Sequence, residues 1–299
     1  ISRVGTLTTA TPTMCTGDAA SPIVGQASVA SGTIQYEWSR SIDGGATYNA
    51  IGGTNSVTYS PGNLVSTTLF IRKTISILGT VSCTINSLPY TITIDPLPVS
   101  VLTGIAASGP TLTGSGTLTV CNGELVTFNA PFVPGNSYEF FDGTSLSRQA
   151  SSTSNTFTST TLGDGDIIFA RVYNAAGCFS ETDSITISEL DAFTVAITPI
   201  SGVREFCTGA PIAMQATAIA GATYLWQIDG NPVQGVPPST QSTYTSGAGI
   251  HLITDGAIVS VIVTNVAGCT ITATTTFTEN VISRVGTLTT ATPTMCTGD

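Results

Sequence analysis

Charge is the scarcest property of this 299-residue chain: only 9% of its residues are charged, and Lys73 is its sole lysine. A surface that grips nucleic acid needs clustered Lys and Arg facing phosphates, so eight basic residues at a net charge of −10 exclude that class of partner. Anionic membrane surfaces are disfavoured for the same reason. Long apolar runs are missing too, the nearest approach being Ile258 to Val263, so no membrane-spanning helix is expected. The first residues hold no basic stretch followed by an apolar one, and any signal peptide is expected to lie outside this sequence. Histidine occurs once, as His251 in GAGIHLITDG, so any Ser-His-Asp or Cys-His arrangement would have to use a residue whose neighbours alternate as in a strand. No Cys or His spacing fits a zinc site, and no Gly-rich loop stands between a strand and a helix. No catalytic residue, no cofactor and no enzymatic activity are therefore expected. Asn-x-Ser/Thr is also absent, so a glycan would have to be O-linked, with Asp183-Ser184-Ile185 as the one weak acceptor triplet.

What the chain does have is Thr, Ser, Gly and Val, the residues of short strands and tight turns, while the good helix formers are sparse. An all-β protein follows. Its most informative stretch is ISRVGTLTTATPTMCTGD, which occurs at residues 1–18 and again, without one substitution, at 282–299. Shared strand preference cannot produce an identity of that length, because many Thr- and Val-rich strings would serve equally well. Tandem duplication with an offset of 281 residues (282 − 1) is the expectation, with the chain one window of a longer repeating polypeptide.

Three similar seams divide the interior, each a β-patterned run ending in an acidic residue with an extended run close behind: near Asp95, near Asp191 and near Glu279. Each is followed, a strand's length later, by a cysteine and a turn, as in MCTGD at Cys15, VCNGE at Cys121 and FCTGA at Cys207. The expected domains are 1–97, 98–191 and 192–281, with 282–299 the first strand of the next repeat. The second and third match best. SYEFFDG answers TYLWQIDG, and GDGDIIFARVYNAAGC answers TDGAIVSVIVTNVAGC, each an Asp-Gly turn, a period-two strand and an Asn-x-Ala-Gly-Cys turn. The first domain keeps the aromatic strand, QYEWSRS, but replaces the closing turn with LGTVSC, so its last hairpin should differ in shape.

About seven short strands per ~90 residues, with a bulky aromatic in the third, predict an immunoglobulin-like sandwich for each domain. Trp38, Phe140 and Trp226 are the expected core aromatics, because Tyr-x-Trp on a strand puts both rings on one face. Tyr48 and Phe132, in expected loops, are the exceptions that could meet a sugar.

The Cys-x-Gly opening, the Tyr-x-Trp strand, the Asp-Gly-Gly-Ala-Thr-Tyr turn with TYSPGNL after it, and the Asn-x-Ala-Gly-Cys close resemble the PKD-like and immunoglobulin-like modules of very large bacterial surface proteins, including adhesins of gliding bacteria. The Trp-Asp-Phe-Gly-Asp-Gly string of true PKD domains is absent. The resemblance implies export, display at the bacterial cell surface, and adhesion or fibre formation without catalysis by the module. Copies of the chain itself, end to end or side by side, are the implied partners, with surface glycans second. A glycan-binding array attached to an extracellular enzyme is the alternative.

Metal ligation has one candidate ion, calcium, at Asp164 and Asp166 in a shared turn and at the seam residues Asp95, Glu189, Asp191 and Glu279. Against it, Asp-Gly is a turn former, and calcium wants six or more oxygens. The seven cysteines alternate between Cys15, Cys121, Cys207 and Cys296, which open segments, and Cys83, Cys178 and Cys269, which close them. That order reads as a disulfide framework in an oxidising compartment. Pairing within domains, Cys15 to Cys83, Cys121 to Cys178 and Cys207 to Cys269, is slightly favoured. The alternative bridges each opening cysteine to the closing cysteine of the following domain, as in Cys15 to Cys178. It arises because a five-residue strand spans ~17 Å whereas bridged Cα atoms lie within about 7 Å. Finally, so few basic residues leave the strand edges poorly guarded, which predicts lateral contact between chains or a covering.

Overall fold

The computed structural model describes residues 1, 3–143, 145–233, 238–247 and 252–280. They fold entirely as strands and turns, in two compact units, Ile1–Glu189 and Leu190–Asp299. The first unit contains two sandwiches with separate cores. The first core is built on Ile23, Trp38, Phe70 and Ile92, the second on Leu102, Phe128, Tyr138, Phe140 and Ile168. The second unit holds a third core around Met214, Tyr224, Trp226, Val259 and Val261. The chain is thus a tandem of immunoglobulin-like β-sandwiches. The restated strand at 282–299, with Cys296, lies outside the described residues, as does His251.

In the first sandwich one face is a six-stranded sheet in which Thr13–Cys15, Tyr90–Asp95, Thr68–Leu78, Thr33–Ser41 and Asn49–Ile51 are neighbours in that order, with Val81–Asn86 paired to Thr68–Leu78. Leu7–Thr8, Ile23–Gly25 and Thr58–Tyr59 form the facing sheet. The second sandwich repeats the plan: Gly116–Cys121, Ile185–Leu190, Ile167–Tyr173, Ser137–Asp142 and Ser145–Ser152 in one sheet, and Thr111–Thr113, Thr103–Ala106, Val126–Asn129 and Thr156–Ser159 in the other. In the third, Thr223–Ile228, Ile258–Thr264 and Thr270–Thr276 carry the larger sheet, and Ile197–Pro199, Ala213–Ala216 and Thr243–Thr245 face them.

The strand that carries the opening cysteine pairs in parallel with the last strand of its own domain. Cys15 stands opposite Asp95, and Cys207 opposite Asn280. Parallel neighbours run the same way, so the opening cysteine is delivered to the trailing end, where the chain leaves the sandwich. The closing cysteine arrives at the other end. Cys178 sits in the turn between Ile167–Tyr173 and Phe179–Glu181, an antiparallel pair whose turn marks the leading end of the second sandwich. The first domain's last hairpin does differ: Thr68–Leu78 and Val81–Asn86 pair over six residues through a tight Gly79-Thr80 turn, so Cys83 stands within a strand.

Candidate functional site

The junction between the first and second domains gathers hydrogen-bonded turns, a proline-rich seam and a covalent bond. At the trailing end of the first sandwich, Gly17 adopts φ +88° so that the Cys-Thr-Gly-Asp turn can reverse. The Asp18 amide donates to the Cys15 carbonyl at 3.1 Å, and the Cys15 amide donates to Asp18 Oδ2 at 3.3 Å. The Thr16 amide donates to the Asp95 carbonyl at 3.0 Å, tying the turn to the last residue of the departing strand. On the other side, the Asn174 side chain organises its turn by accepting at Oδ1 from the amides of Ala176 at 3.0 Å and Cys178 at 2.9 Å. Gly177 supplies the positive φ, +85°. Asn265 repeats both bonds with Ala267 and Cys269.

These two ends are joined. Cys15 and Cys178 form a disulfide with Cα atoms 5.5 Å apart, across a sequence separation of 163 residues. The favoured pairing within domains is thereby corrected: Cys15 does not take Cys83, nor Cys121 take Cys178, nor Cys207 take Cys269. The reason is the strand length invoked above, since opening and closing cysteines of one sandwich stand at opposite ends while Cys15 of the first and Cys178 of the second face each other. Cys121 and Cys269 are also disulfide-bonded, whereas Cys83 and Cys207 are free and exposed. The seam Asp95-Pro-Leu-Pro-Val-Ser100 is held by the second domain as well. Asn174 Nδ2 donates to the Pro96 carbonyl at 2.9 Å, Ser180 Oγ to the Pro98 carbonyl at 2.6 Å, and Ser100 Oγ to the Glu181 carbonyl at 2.9 Å. Two prolines with fixed φ leave this connection little freedom.

Several acidic residues of the turns and seams accept hydrogen bonds within their own domains. Asp164 Oδ1 accepts from the Glu189 amide at 3.1 Å, and Asp255 Oδ1 accepts from the Glu279 amide at 2.9 Å, so each Asp-Gly turn caps its domain's last strand. Asp166 Oδ2 accepts from the Gly163 amide at 3.0 Å, and Glu189 Oε1 from Asn122 Nδ2 at 2.8 Å. Asp191 is exposed, and Asp95 engages Thr16 through its backbone carbonyl. Among the described residues no three His, Cys, Asp or Glu side chains gather as a metal site would require.

Trp38, Phe140 and Trp226 are buried, and each lies against a second ring: Trp38 on Tyr59, Phe140 on Phe157 and Trp226 on Tyr244. Tyr48 is half-buried beside Gly45, while Phe132 is 65% exposed. A buried cation was not anticipated from the sequence. Arg72, fully buried in the first core, donates from Nη2 to the carbonyls of Val4 at 2.6 Å and Gln26 at 2.8 Å and from Nη1 to Val57 at 3.2 Å, and its guanidinium lies 4.6 Å from the centre of the Tyr36 ring. Burial holds its pKa below the ordinary arginine value. Nothing in the sequence signalled it: in TLFIRKTISIL, Leu69, Ile71, Ile75 and Ile77 alternate on the face opposite Arg72, and the space beside Gly25 is visible only in the fold.

Residues 4–96, the first domain, match a family described as Domain of unknown function (DUF8696). No curated protein matches the chain. Among solved structures, an I-band fragment of titin, I67-I69, aligns over 93% of this chain and 98% of its own at 10% identity and a TM-score of 0.38. Fibronectin(III)-like modules of Clostridium thermocellum CbhA align over 59% of this chain and 94% of theirs, at 14% identity and a TM-score of 0.32. The Bacteroides ovatus protein SGBP-B of a mixed-linkage glucan utilization locus, solved with a heptasaccharide, aligns over 94% of this chain and 68% of its own, at 14% identity and a TM-score of 0.21. A disulfide that joins two sandwiches belongs to a chain that matures in an oxidising, extracellular setting.

Proposed function

We propose that the chain is a structural and adhesive module of a repetitive bacterial cell-surface filament or giant adhesin, a stiff extracellular rod without enzymatic activity. The observation that carries this reading is the Cys15–Cys178 bridge between successive domains, reinforced by three hydrogen bonds to the Asp95–Ser100 seam. The bridge draws neither cysteine from the core cluster of its own sandwich. It fixes one domain against the next, which is useful to a chain that must transmit force or hold its reach. The identical stretches at 1–18 and 282–299 add that the unit recurs, so copies of itself along the same polypeptide are its first partners. With strands of about 7–10 residues at ~3.3 Å each, a domain adds roughly 30–40 Å and one 281-residue period on the order of 100 Å. Electron microscopy of the native material tests this directly. Thin filaments with that axial period support the reading, and compact particles or strings without a period oppose it.

Phe132, exposed on a loop of the second domain, favours a second reading in which the sandwiches present a glycan-binding surface. Glycan-array binding that is lost on Phe132→Ala or Tyr48→Ala would support it.

A further inference from the structure

Among the described residues two thiols are free, and both are exposed: Cys83 and Cys207. They are the two left over by a single rule. Cys207 is an opening cysteine at the trailing end of the third domain, placed opposite Asn280 as Cys15 is placed opposite Asp95. Cys83 is a closing cysteine on the last hairpin of the first domain, the hairpin that in the second domain carries Cys178. The bridge seen in the structure joins an opening cysteine to the closing cysteine of the following domain. By that rule Cys207 needs a closing cysteine beyond the third domain, and Cys83 an opening cysteine ahead of the first.

We propose that Cys207 of one copy of this sequence forms a disulfide with Cys83 of the next copy, so that the bond between the first and second domains recurs at the boundary between repeats. The proposal rests on the tandem-module reading above. Spacing agrees with it. Displaced by the repeat offset of 281 residues, Cys83 stands 157 residues beyond Cys207 (83 + 281 − 207), close to the 163 residues that separate Cys15 from Cys178.

The two surfaces agree as well. Cys207 lines a groove of about 380 Å³ together with Ile200, Val203, Pro211 and Phe277, and Ile200 and Val203 are more than half exposed. Cys83 sits midway in a row formed by Val81, Cys83 and Ile85, alternate residues on one face of a strand that is exposed along its whole length. That row stands opposite Leu78, Ser76 and Thr74 of the neighbouring strand. Ser76 and Thr74 are covered by the first core, yet Val81 and Ile85 are 62% and 43% exposed. An apolar strand with a thiol at its centre and an apolar groove with a thiol on its wall are complementary, and burying one on the other would cover side chains that are costly to leave in water.

The bond requires an oxidant, here a disulfide-bearing thiol compound or oxidoreductase of the extracellular compartment, written RSSR. The Cys207 thiolate attacks one sulfur of RSSR, forming a mixed disulfide and expelling one RS⁻. The Cys83 thiolate of the next copy then attacks Cys207 Sγ, forming the bridge and expelling the second RS⁻. The two thiols surrender two electrons and two protons, which leave with the oxidant as two RSH.

A polypeptide of two successive copies of residues 1–281, whose first 299 residues are the present chain, provides the test. It is oxidised with glutathione disulfide, alkylated, and mapped by mass spectrometry without reduction. The expected result is a linked peptide that joins Cys207 of the first copy to Cys83 of the second, with only the first Cys83 and the last Cys207 alkylated. Changing the first-copy Cys207→Ser should add one alkylated thiol, at the second-copy Cys83. Alkylation of all four, with no linked peptide, overturns the proposal. So does a linked peptide that joins two Cys83 or two Cys207 residues of separate chains. A linked peptide in material that forms no filament would keep the pairing and remove the filament reading, while filaments without it would do the reverse.

Discussion

Asn174 shows how much one side chain does at the junction, since it shapes the turn that presents Cys178 through two accepted bonds and holds Pro96 through a donated one. Asn174→Ala removes all three. Its expected cost is about 2 kcal/mol in denaturant unfolding, together with faster reduction of the Cys15–Cys178 bond by dithiothreitol, because the turn no longer holds the sulfur in place. Arg72 is the opposite case, a cation whose partners are backbone carbonyls. Arg72→Met would take the Arg72 donor from the Gln26 carbonyl and leave the Val4 and Val57 carbonyls with only Ser28 Oγ and the Gly25 amide, an expected loss of about 2–3 kcal/mol by urea titration. Gly25→Ala should harm the same core, as its Cβ would overlap Arg72 Nη1 and crowd the Val57 carbonyl oxygen. Asp43 accepts from Ser41 Oγ first, and from the Thr47 amide and hydroxyl, which hold its carboxyl well below the usual carboxylate range. A depressed folded-state pKa gives stability that is present above the ordinary aspartate pKa and is lost as the pH falls below it. Ser41→Ala should therefore bring the Asp43 carboxyl nearer to its ordinary value, as read from the carboxyl carbon shift during an acid titration by NMR.

The strands divide into those that declare their inward face and one that conceals it. Ser137–Asp142 and Thr223–Ile228 bury Tyr138, Phe140, Tyr224 and Trp226 on one side, as Tyr-x-aromatic spacing requires. Their tyrosines also share a bond that the sequence hints at only through position: Tyr138 Oη accepts from the Val133 amide at 2.9 Å, and Tyr224 Oη from the Ile219 amide at 2.8 Å. Tyr138→Phe or Tyr224→Phe should cost about 1 kcal/mol in thermal or chemical unfolding. In Thr68–Leu78 the inward residues are Thr68, Phe70, Arg72, Thr74 and Ser76, whereas Leu69, Ile71, Ile75 and Ile77 lie on the outer face, half-buried. Hydropathy alone would turn that strand inside out. Its register is set by pairing with Thr33–Ser41 and by the carbonyls that Arg72 satisfies, and neither is a local property of the run. The sandwiches were legible because turns and period-two runs are local. The parallel pairing of Thr13–Cys15 with Tyr90–Asp95 was not, because it joins strands more than seventy residues apart.

At the scale of the whole chain, the disulfide framework was legible as a framework and ambiguous as a pairing. Alternation of opening and closing cysteines follows from sequence order, while the choice of partner depends on which end of a sandwich each reaches. That is set by the parallel strand for Cys15 and by the antiparallel hairpin for Cys178. The Asp-Gly turns show the same dependence on distant partners: Asp164 and Asp255 accept from the Glu189 and Glu279 amides, 25 and 24 residues away. The central claim is that the Cys15–Cys178 bridge crosses a domain boundary, and stretching single molecules tests it most directly. With Cys121 and Cys269 both changed to serine, the Cys15–Cys178 bond alone withholds 163 residues from extension, so adding Cys15→Ser should lengthen the fully unfolded chain by roughly 550 Å at ~3.4 Å per residue. A gain of only ~230 Å, the length of the loop from Cys15 to Cys83, or no gain at all, would contradict it.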